Sequence, residues 1–356
     1  MEKIRLGVIF GGKSSEYSVS LHSVSSMLRS VNPEKYEIRC IGISPSGSWY
    51  YLTQPDYDKI EHDHWLDDTC VEMCLSMGEK RGIVLLDGRN TFIDLDVVFP
   101  VLHGKNGEDG TLQGYLELAQ IPYVGCHVLS SSCVMDKEFT HILCESANIP
   151  CTPYKCIYKN EYKNEKEIYE DAVSKLGDVL FIKPCNAGSS YGISKVRSFE
   201  EFKAGMEEAF RHDSKVLIEK SIDGFEIGCA VLGNDELVVG ECDEIETHKD
   251  FFDFAAKYEL DQTEIHCPAR ISKKQSDIAK ELAKKAYRVM NCEGFARVDM
   301  FVCKNGDIVL NELNTIPGLT ATSRYPSMIS HAGYSFSALI DRLIQLALEK
   351  RAARRL

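Results

Sequence analysis

Between Phe295 and Asn314 the chain alternates apolar and polar residues on either side of an Asn305-Gly306 pair, and few folds accommodate that pattern. Side chains along a strand point to opposite faces in turn, so Ala296, Val298, Met300 and Val302 share one face while Arg297 and Asp299 share the other. Asn-Gly is the strongest short hairpin signal, and a two-residue turn there pairs Lys304 with Asp307, Asp299 with Glu312 and Arg297 with Asn314. Two carboxylates placed directly opposite repel by roughly 0.2–1 kcal/mol unless something compensates. A cation would compensate. Asp299, Glu312 and Asn314 offer hard oxygen ligands of the kind magnesium takes, with substrate phosphates completing its shell. The competing reading, a solvated polar face on an edge hairpin, leaves the convergence of three oxygen ligands and an arginine without a reason.

The rest of the chain alternates strand and helix signals. Ile4–Phe10 is an apolar run closed by Gly11-Gly12, and Val24, Met27, Leu28 and Val31 follow at helical spacing. Ile38–Ile43 and Leu95–Leu102 read as further strands, the latter followed by the loop His103–Gly110 and a helical stripe through Leu112, Tyr115, Leu116 and Ala119. Such alternation predicts an α/β domain with a parallel sheet over residues 1–125. A second unit over 126–215 holds the strands Val179–Lys183 and Gly192–Val196. A third, 216–356, opens with Val216–Glu219, continues through Phe225–Leu232 and the hairpin, and closes with a helix from Phe336 to Lys350. The chain's 356 residues, at roughly 150 per domain, fit two to three units.

Charge narrows the partners. With 41 Lys and Arg against 54 Asp and Glu the net charge is −13, which excludes the electrostatic footprint of a general nucleic-acid or anionic-membrane binder; small molecules are the expected partners. No apolar stretch approaches the roughly 18 residues of a membrane span. Met1–Phe10 is too short an apolar run for a secretory leader, so the 14 cysteines are expected as reduced, mostly buried thiols in a cytoplasmic protein.

Two further segments bear on ligands. Phe181-Ile182-Lys183 followed by Asn186-Ala187-Gly188-Ser189-Ser190-Tyr191-Gly192 sets a lysine at a strand end before a loop whose glycines expose backbone N–H groups, a plausible phosphate cradle without P-loop order. Gly11-Gly12-Lys13-Ser14-Ser15-Glu16 lies between the first strand and first helix, where open α/β sheets place ligands, yet it lacks G-x-G-x-x-G, which disfavours a nicotinamide dehydrogenase. Glu16 there is suited to a substrate ammonium.

Taken with His103-Gly104-Lys105-Asn106-Gly107-Glu108-Asp109-Gly110, Met135-Asp136-Lys137, Ile218-Glu219-Lys220, Lys257-Tyr258 and Asn311–Gly318, these segments resemble the D-alanine–D-alanine ligase family of ATP-grasp enzymes and its vancomycin-resistance relatives over almost the whole chain. The resemblance implies a three-domain ATP-grasp fold, ATP with Mg2+ or Mn2+, and a homodimer. It implies that Lys137, Lys183 and Lys257 hold phosphates, that Glu219 and Lys220 lie at the adenine and Glu226 at the ribose, that Asn311 lines the nucleotide site, and that Asp299, Glu312 and Asn314 bind the metal. Glu16 would hold the ammonium of the first D-amino acid, fixed by Ser189 and Tyr258; Arg297 and the Gly318 N–H would face the oxyanion; Ser323 would take the second carboxylate; and the loop Glu246–Leu260 would close over the site.

Two departures follow from the same comparison. Arg324 stands where the plain D-alanyl-D-alanine enzymes carry a small apolar residue, and offers donors to a hydroxyl; with Asp243 and Phe252 it implies D-serine as acceptor, D-alanine being the alternative. The competing reading turns Arg324 outward to a surface carboxylate. Ser18 replaces a glutamate common in relatives, leaving Glu16 as the carboxylate there, and His103 is open between proton shuttle and orienting group. The expected activity is ATP-dependent joining of D-alanine to D-serine through an acyl phosphate, for peptidoglycan precursors and vancomycin resistance. A nucleotide sensor that has lost catalysis and another ATP-grasp carboxylate–amine ligase are the alternatives.

Overall fold

The computed structural model describes residues 2–188, 191–247 and 263–353, which form three sheets. The first contains β1 (Ile4–Gly11), β2 (Tyr36–Ile43), β3 (Trp49–Leu52), β4 (Cys70–Leu75), β5 (Gly82–Leu85), β6 (Phe92–Asp94) and β7 (Val97–Val101), in the order β6-β5-β4-β3-β2-β1-β7. One end of it, β2-β1-β7, is parallel, because the helix Tyr17–Ser30 carries the chain across between β1 and β2. The four remaining strands add antiparallel, an extension that the sequence pattern does not reveal.

The second sheet holds β8 (Tyr154–Tyr158), β9 (Leu180–Pro184), β10 (Ser194–Val196) and β11 (Lys215–Lys220), ordered β10-β9-β11-β8 and wholly antiparallel. The helices Glu165–Leu176 and Phe199–His212 close its core over Leu180, Ile182, Val196 and Ile218. Here the structure corrects the sequence reading. The strand around Val216–Glu219 does not open the third unit; it is hydrogen-bonded between β9 and β8, and Val216 and Ile218 pack into the second sheet's core.

The third sheet comprises β12 (Gly224–Gly233), β13 (Leu237–Thr247), β14 (Thr263–His266), β15 (Phe295–Cys303) and β16 (Ile308–Asn314), ordered β14-β13-β12-β15-β16. Ala296, Val298, Met300 and Val302 bury one face of β15 against the helix Lys273–Val289, whose start is fixed by a Ser272–Gln275 capping box. The opposite face meets the helix Arg324–Ser330 and the first domain. The last helix, Phe336–Ala353, returns to that boundary and buries Leu339, Ile340, Leu343 and Ile344 beside Phe99 and Val101 of β7. The first domain and the C-terminal part of the chain thus share a core. All 14 cysteines are free thiols, and among the described residues no helix is long and apolar enough to cross a membrane.

Candidate active site

The C-terminal ends of β1 and β7, the β15–β16 hairpin and the loop after β9 meet around a cleft of about 630 Å³. Its first wall is built by hydroxyl links. Gly11 N–H donates to Ser20 Oγ at 2.8 Å, Ser20 Oγ donates to Val101 O, and Ser14 Oγ donates to His103 O at 2.8 Å while accepting from Glu16 N–H at 3.1 Å. These bonds hold Glu16, at the N-terminal edge of the helix Tyr17–Ser30, in the cleft with only 7% of its surface exposed. Gly104 has φ +70°, and a Cβ there would lie 2.2 Å from Glu16 Oε2, so glycine is required for the carboxylate to fit.

Behind Glu16 lies a residue the sequence reading quoted but gave no role. Glu108 accepts the Gly104 N–H at 2.7 Å and the Ile316 N–H at 3.0 Å, tying the His103–Gly110 loop to the segment after β16. Burial, and then the nearby Glu16 charge, push its carboxyl up to about 8. His103 donates from Nδ1 to Ile316 O at 3.1 Å, which leaves Nε2 to accept from Ser23 Oγ at 3.2 Å. Burial holds this imidazole below its ordinary pKa and therefore neutral. Both ring nitrogens of His103 are thus engaged within the protein.

The hairpin forms the second wall, with a register that differs from a simple two-residue turn. Near the turn Val302 pairs with Ile308 and Met300 with Leu310; beyond a bulge Asp299 pairs with Glu312 and Arg297 with Asn314. Asn311 is the extra residue. The bulge turns Asn311, Glu312 and Asn314 all toward the cleft while Leu310 and Leu313 stay buried. Arg297 Nε donates to both Asp299 oxygens at 2.8 and 3.0 Å, and Asn314 Nδ2 donates to Asp299 Oδ2 at 2.9 Å. Two opposed carboxylates and an amide whose oxygen is left for another partner are a donor set that fits a hard divalent cation.

At one end of the cleft, Lys137 Nζ donates to Ala187 O at 2.7 Å. Lys183 is buried, with Nζ 2.5 Å from Glu219 Oε2 and 3.3 Å from Asn311 Oδ1. Burial opposes both charges, yet Glu219 keeps Lys183 above its ordinary value, and Lys183 with His141 draws Glu219 down to about 2. Glu226 lines the cleft, whereas Lys220, next to the buried Glu219, turns its side chain to solvent.

At the other end, Ser323 precedes the helix Arg324–Ser330 and its Oγ accepts the Thr320 N–H at 3.1 Å. Gly318 lies against it, 3.3 Å from Ser323 Oγ to a constructed Cβ. Arg324 points inward. Its Nε and Nη2 each lie 2.7 Å from an oxygen of Asp243, a residue with no exposed surface, and it approaches Asp299 at 3.5 Å and Glu226 at 3.6 Å. Gly228 makes room for this ion pair, since a Cβ would fall 2.4 Å from Arg324 Nη2, and its N–H donates to Asp243 Oδ1 at 2.9 Å. Ser189, Phe252, Lys257 and Tyr258 lie outside the described residues.

A family model described as "D-ala D-ala ligase N-terminus" matches residues 5–126, and one described as "D-ala D-ala ligase C-terminus" matches 143–345. The chain is 44% identical over 355 residues to a D-alanine--D-alanine ligase of Caldicellulosiruptor bescii, covering 98% of this chain and 96% of that protein. It is 42% identical over 347 residues to the vancomycin C-type resistance protein VanC1 of Enterococcus gallinarum, covering 97% and 98%. Among solved structures, the VanG D-Ala:D-Ser ligase from Enterococcus faecalis superposes with a TM-score of 0.89 at 45% identity, covering 97% of this chain and 100% of that one. The D-alanine-D-alanine ligase from Coxiella burnetii gives 0.88 at 30% identity, covering 100% and 97%.

Proposed function

The chain belongs to the D-alanine–D-alanine ligase family, an ATP-grasp family of ATP-dependent ligases, and on that footing we propose that it joins D-alanine to D-serine. The observation that carries the choice of acceptor is Arg324, held inward by Asp243 beside Ser323. A guanidinium in the acceptor wall gives a hydroxyl something to bond to and offers a bare methyl nothing. The similarity to a D-alanine--D-alanine ligase at 44% identity favours D-alanine as acceptor instead, and that is the second reading.

A carboxylate accepts an amine poorly, so the first D-alanine is activated by phosphoryl transfer from ATP. Glu16 holds its ammonium and so fixes the carboxylate toward the nucleotide. Lys137, Lys183 and, from outside the described residues, Lys257 spread the charge of the phosphates. Asp299, Glu312 and Asn314 would hold magnesium, which when bound neutralises phosphate charge. Ser323 then holds the carboxylate of the second amino acid while that amino acid's amine, having lost a proton, attacks the acyl carbon, and the tetrahedral intermediate collapses by expelling inorganic phosphate. Arg297 and the Gly318 N–H face the tetrahedral oxyanion, a contact whose loss typically lowers the rate about 10²- to 10³-fold. The product would enter peptidoglycan precursors and confer vancomycin resistance.

Mass spectrometry of the dipeptides formed with ATP, Mg2+ and an equal mixture of D-alanine and D-serine tests the proposal. D-alanyl-D-serine as main product is expected; D-alanyl-D-alanine in excess refutes the acceptor, and an absence of ADP release refutes the ligase.

A further inference from the structure

Beneath the nucleotide end of the cleft lies a histidine to which none of these steps gives a task. His141 follows Lys137 by one helical turn on the helix Lys137–Ser146, is 1% exposed, and brings Nε2 to 3.0 Å from Glu219 Oε1. Its ring packs on Tyr154 of β8 with centroids 4.5 Å apart, and its Nδ1 is buried with no hydrogen-bond partner among the described residues, the Cys151 thiol nearby donating to Ile149 O at 3.4 Å. On the far side, Glu219 Oε2 holds Lys183 from β9. The carboxylate is thereby gripped at both oxygens by cationic groups on different elements. Each oxygen has two lone-pair sites, so one on each is left after these contacts.

Burial disfavours an imidazolium, but the nearby Cys151 sulfur and Glu219 outweigh it and move the pKa of His141 up to about 9. A carboxylate shared between two cations keeps one rotation. Bonded to Lys183 alone, it would follow the lysine whenever that side chain moved toward a phosphate.

We infer that His141 is a positioning residue for the nucleotide: it fixes the rotation of Glu219 so that a carboxylate acceptor faces the base, favouring a purine with an exocyclic amine over a 6-oxo purine. This rests on reading Glu219 as the adenine contact. The test uses the full chain, with ADP affinity from calorimetry and steady-state constants for ATP and ITP. His141→Gln should weaken ADP binding and raise the KM for ATP about tenfold, leave kcat within about twofold, and narrow the preference for ATP over ITP. In the unsubstituted protein ADP affinity should fall between pH 8 and 10, a fall that His141→Gln abolishes and His141→Lys moves to higher pH. Should either variant fail to fold, the unsubstituted profile decides: ADP affinity unchanged across that range overturns the inference. Glu219→Gln separates the two readings. If it keeps the ATP preference, the adenine contact and the inference fall together; if it loses the preference while His141→Gln keeps it, only the inference falls.

Discussion

Replacing Arg324 with leucine removes a guanidinium that lies 2.7 Å from each oxygen of a carboxylate with no exposed surface. What remains for Asp243 is the Gly228 N–H, with Asp299 and Glu226 close by on the same side. Breaking a buried pair by deleting one partner costs about 3–5 kcal/mol, because the other charge is stranded. With an unfolding entropy of roughly 2.1 cal/mol/K per residue, this chain, unfolding as a unit, loses about 4–7 °C in Tm. Asp243→Leu should cost less, since Arg324 keeps Asp299 and Glu226. Arg324→Leu combined with Asp243→Leu should recover at least half of the single-variant loss, because exchanging both partners for apolar groups is often nearly neutral. Selectivity moves independently of stability. A hydroxyl deprived of a charged donor loses about 1.5–3 kcal/mol, so the yield of D-alanyl-D-serine relative to D-alanyl-D-alanine should fall about 10- to 150-fold. The assay is a one-pot competition read by mass spectrometry, in which the amount of folded enzyme cancels, beside thermal melts of the three variants. Strictly additive melting losses would refute the buried ion pair, and an unchanged product ratio would take Arg324 out of the acceptor wall.

Glu312→Ala and Asp299→Ala should both abolish magnesium-dependent ADP release, but only Glu312, on the cleft wall, should leave Tm within about 2 °C; Asp299→Ala strands Arg297, whose guanidinium it holds, and should melt several degrees lower, and equal melts would contradict that division. Glu108 has its folded pKa raised to about 8 from an ordinary carboxyl value, so the stability it contributes is complete in acid and lost as pH rises through about 8. Glu108→Gln should therefore gain on the unsubstituted protein in Tm from pH 6 to 9, and a constant gap across that range would count against a protonated Glu108.

The hairpin was legible because alternation over Ala296–Val302 is local information. Its register was half legible: the pairings of Asp299 and Arg297 follow from the turn only because Asn311 bulges and restores the count that a longer turn had shifted. A signal for the bulge existed. The buried positions Ile308 and Leu310 are even-numbered and Leu313 is odd, a change of phase that a bulge explains, though the apolar Val309 between the first two blurs it in the sequence. Strands such as β5, four residues long, are too short to show a period, and the membership of β11 depends on partners about 30 and 60 residues away. The tasks of Glu108 and His141 were hidden for the same reason. Their partners Ile316 and Glu219 are 208 and 78 residues distant, although the four-residue spacing of Lys137 and His141 already places both on one side of a helix.

The chain enters and leaves the four-stranded sheet, which has its own core, at two neighbouring points. Tyr154, where the chain enters, pairs with Glu219, and the Lys220 N–H, where it leaves, donates to Pro153 O at 2.9 Å, while Thr152 N–H is anchored on Leu310 O at 3.2 Å. Beyond these tethers the sheet is held by Lys137 N–H on Cys185 O at 3.1 Å and by Lys215, which pairs with Asp136 and Glu138. Lys183 and Glu219 belong to this sheet, while Glu312 and Asn314 belong to the third. The seating of one sheet on the other therefore sets how far Lys183 stands from the carboxylate and amide across the cleft.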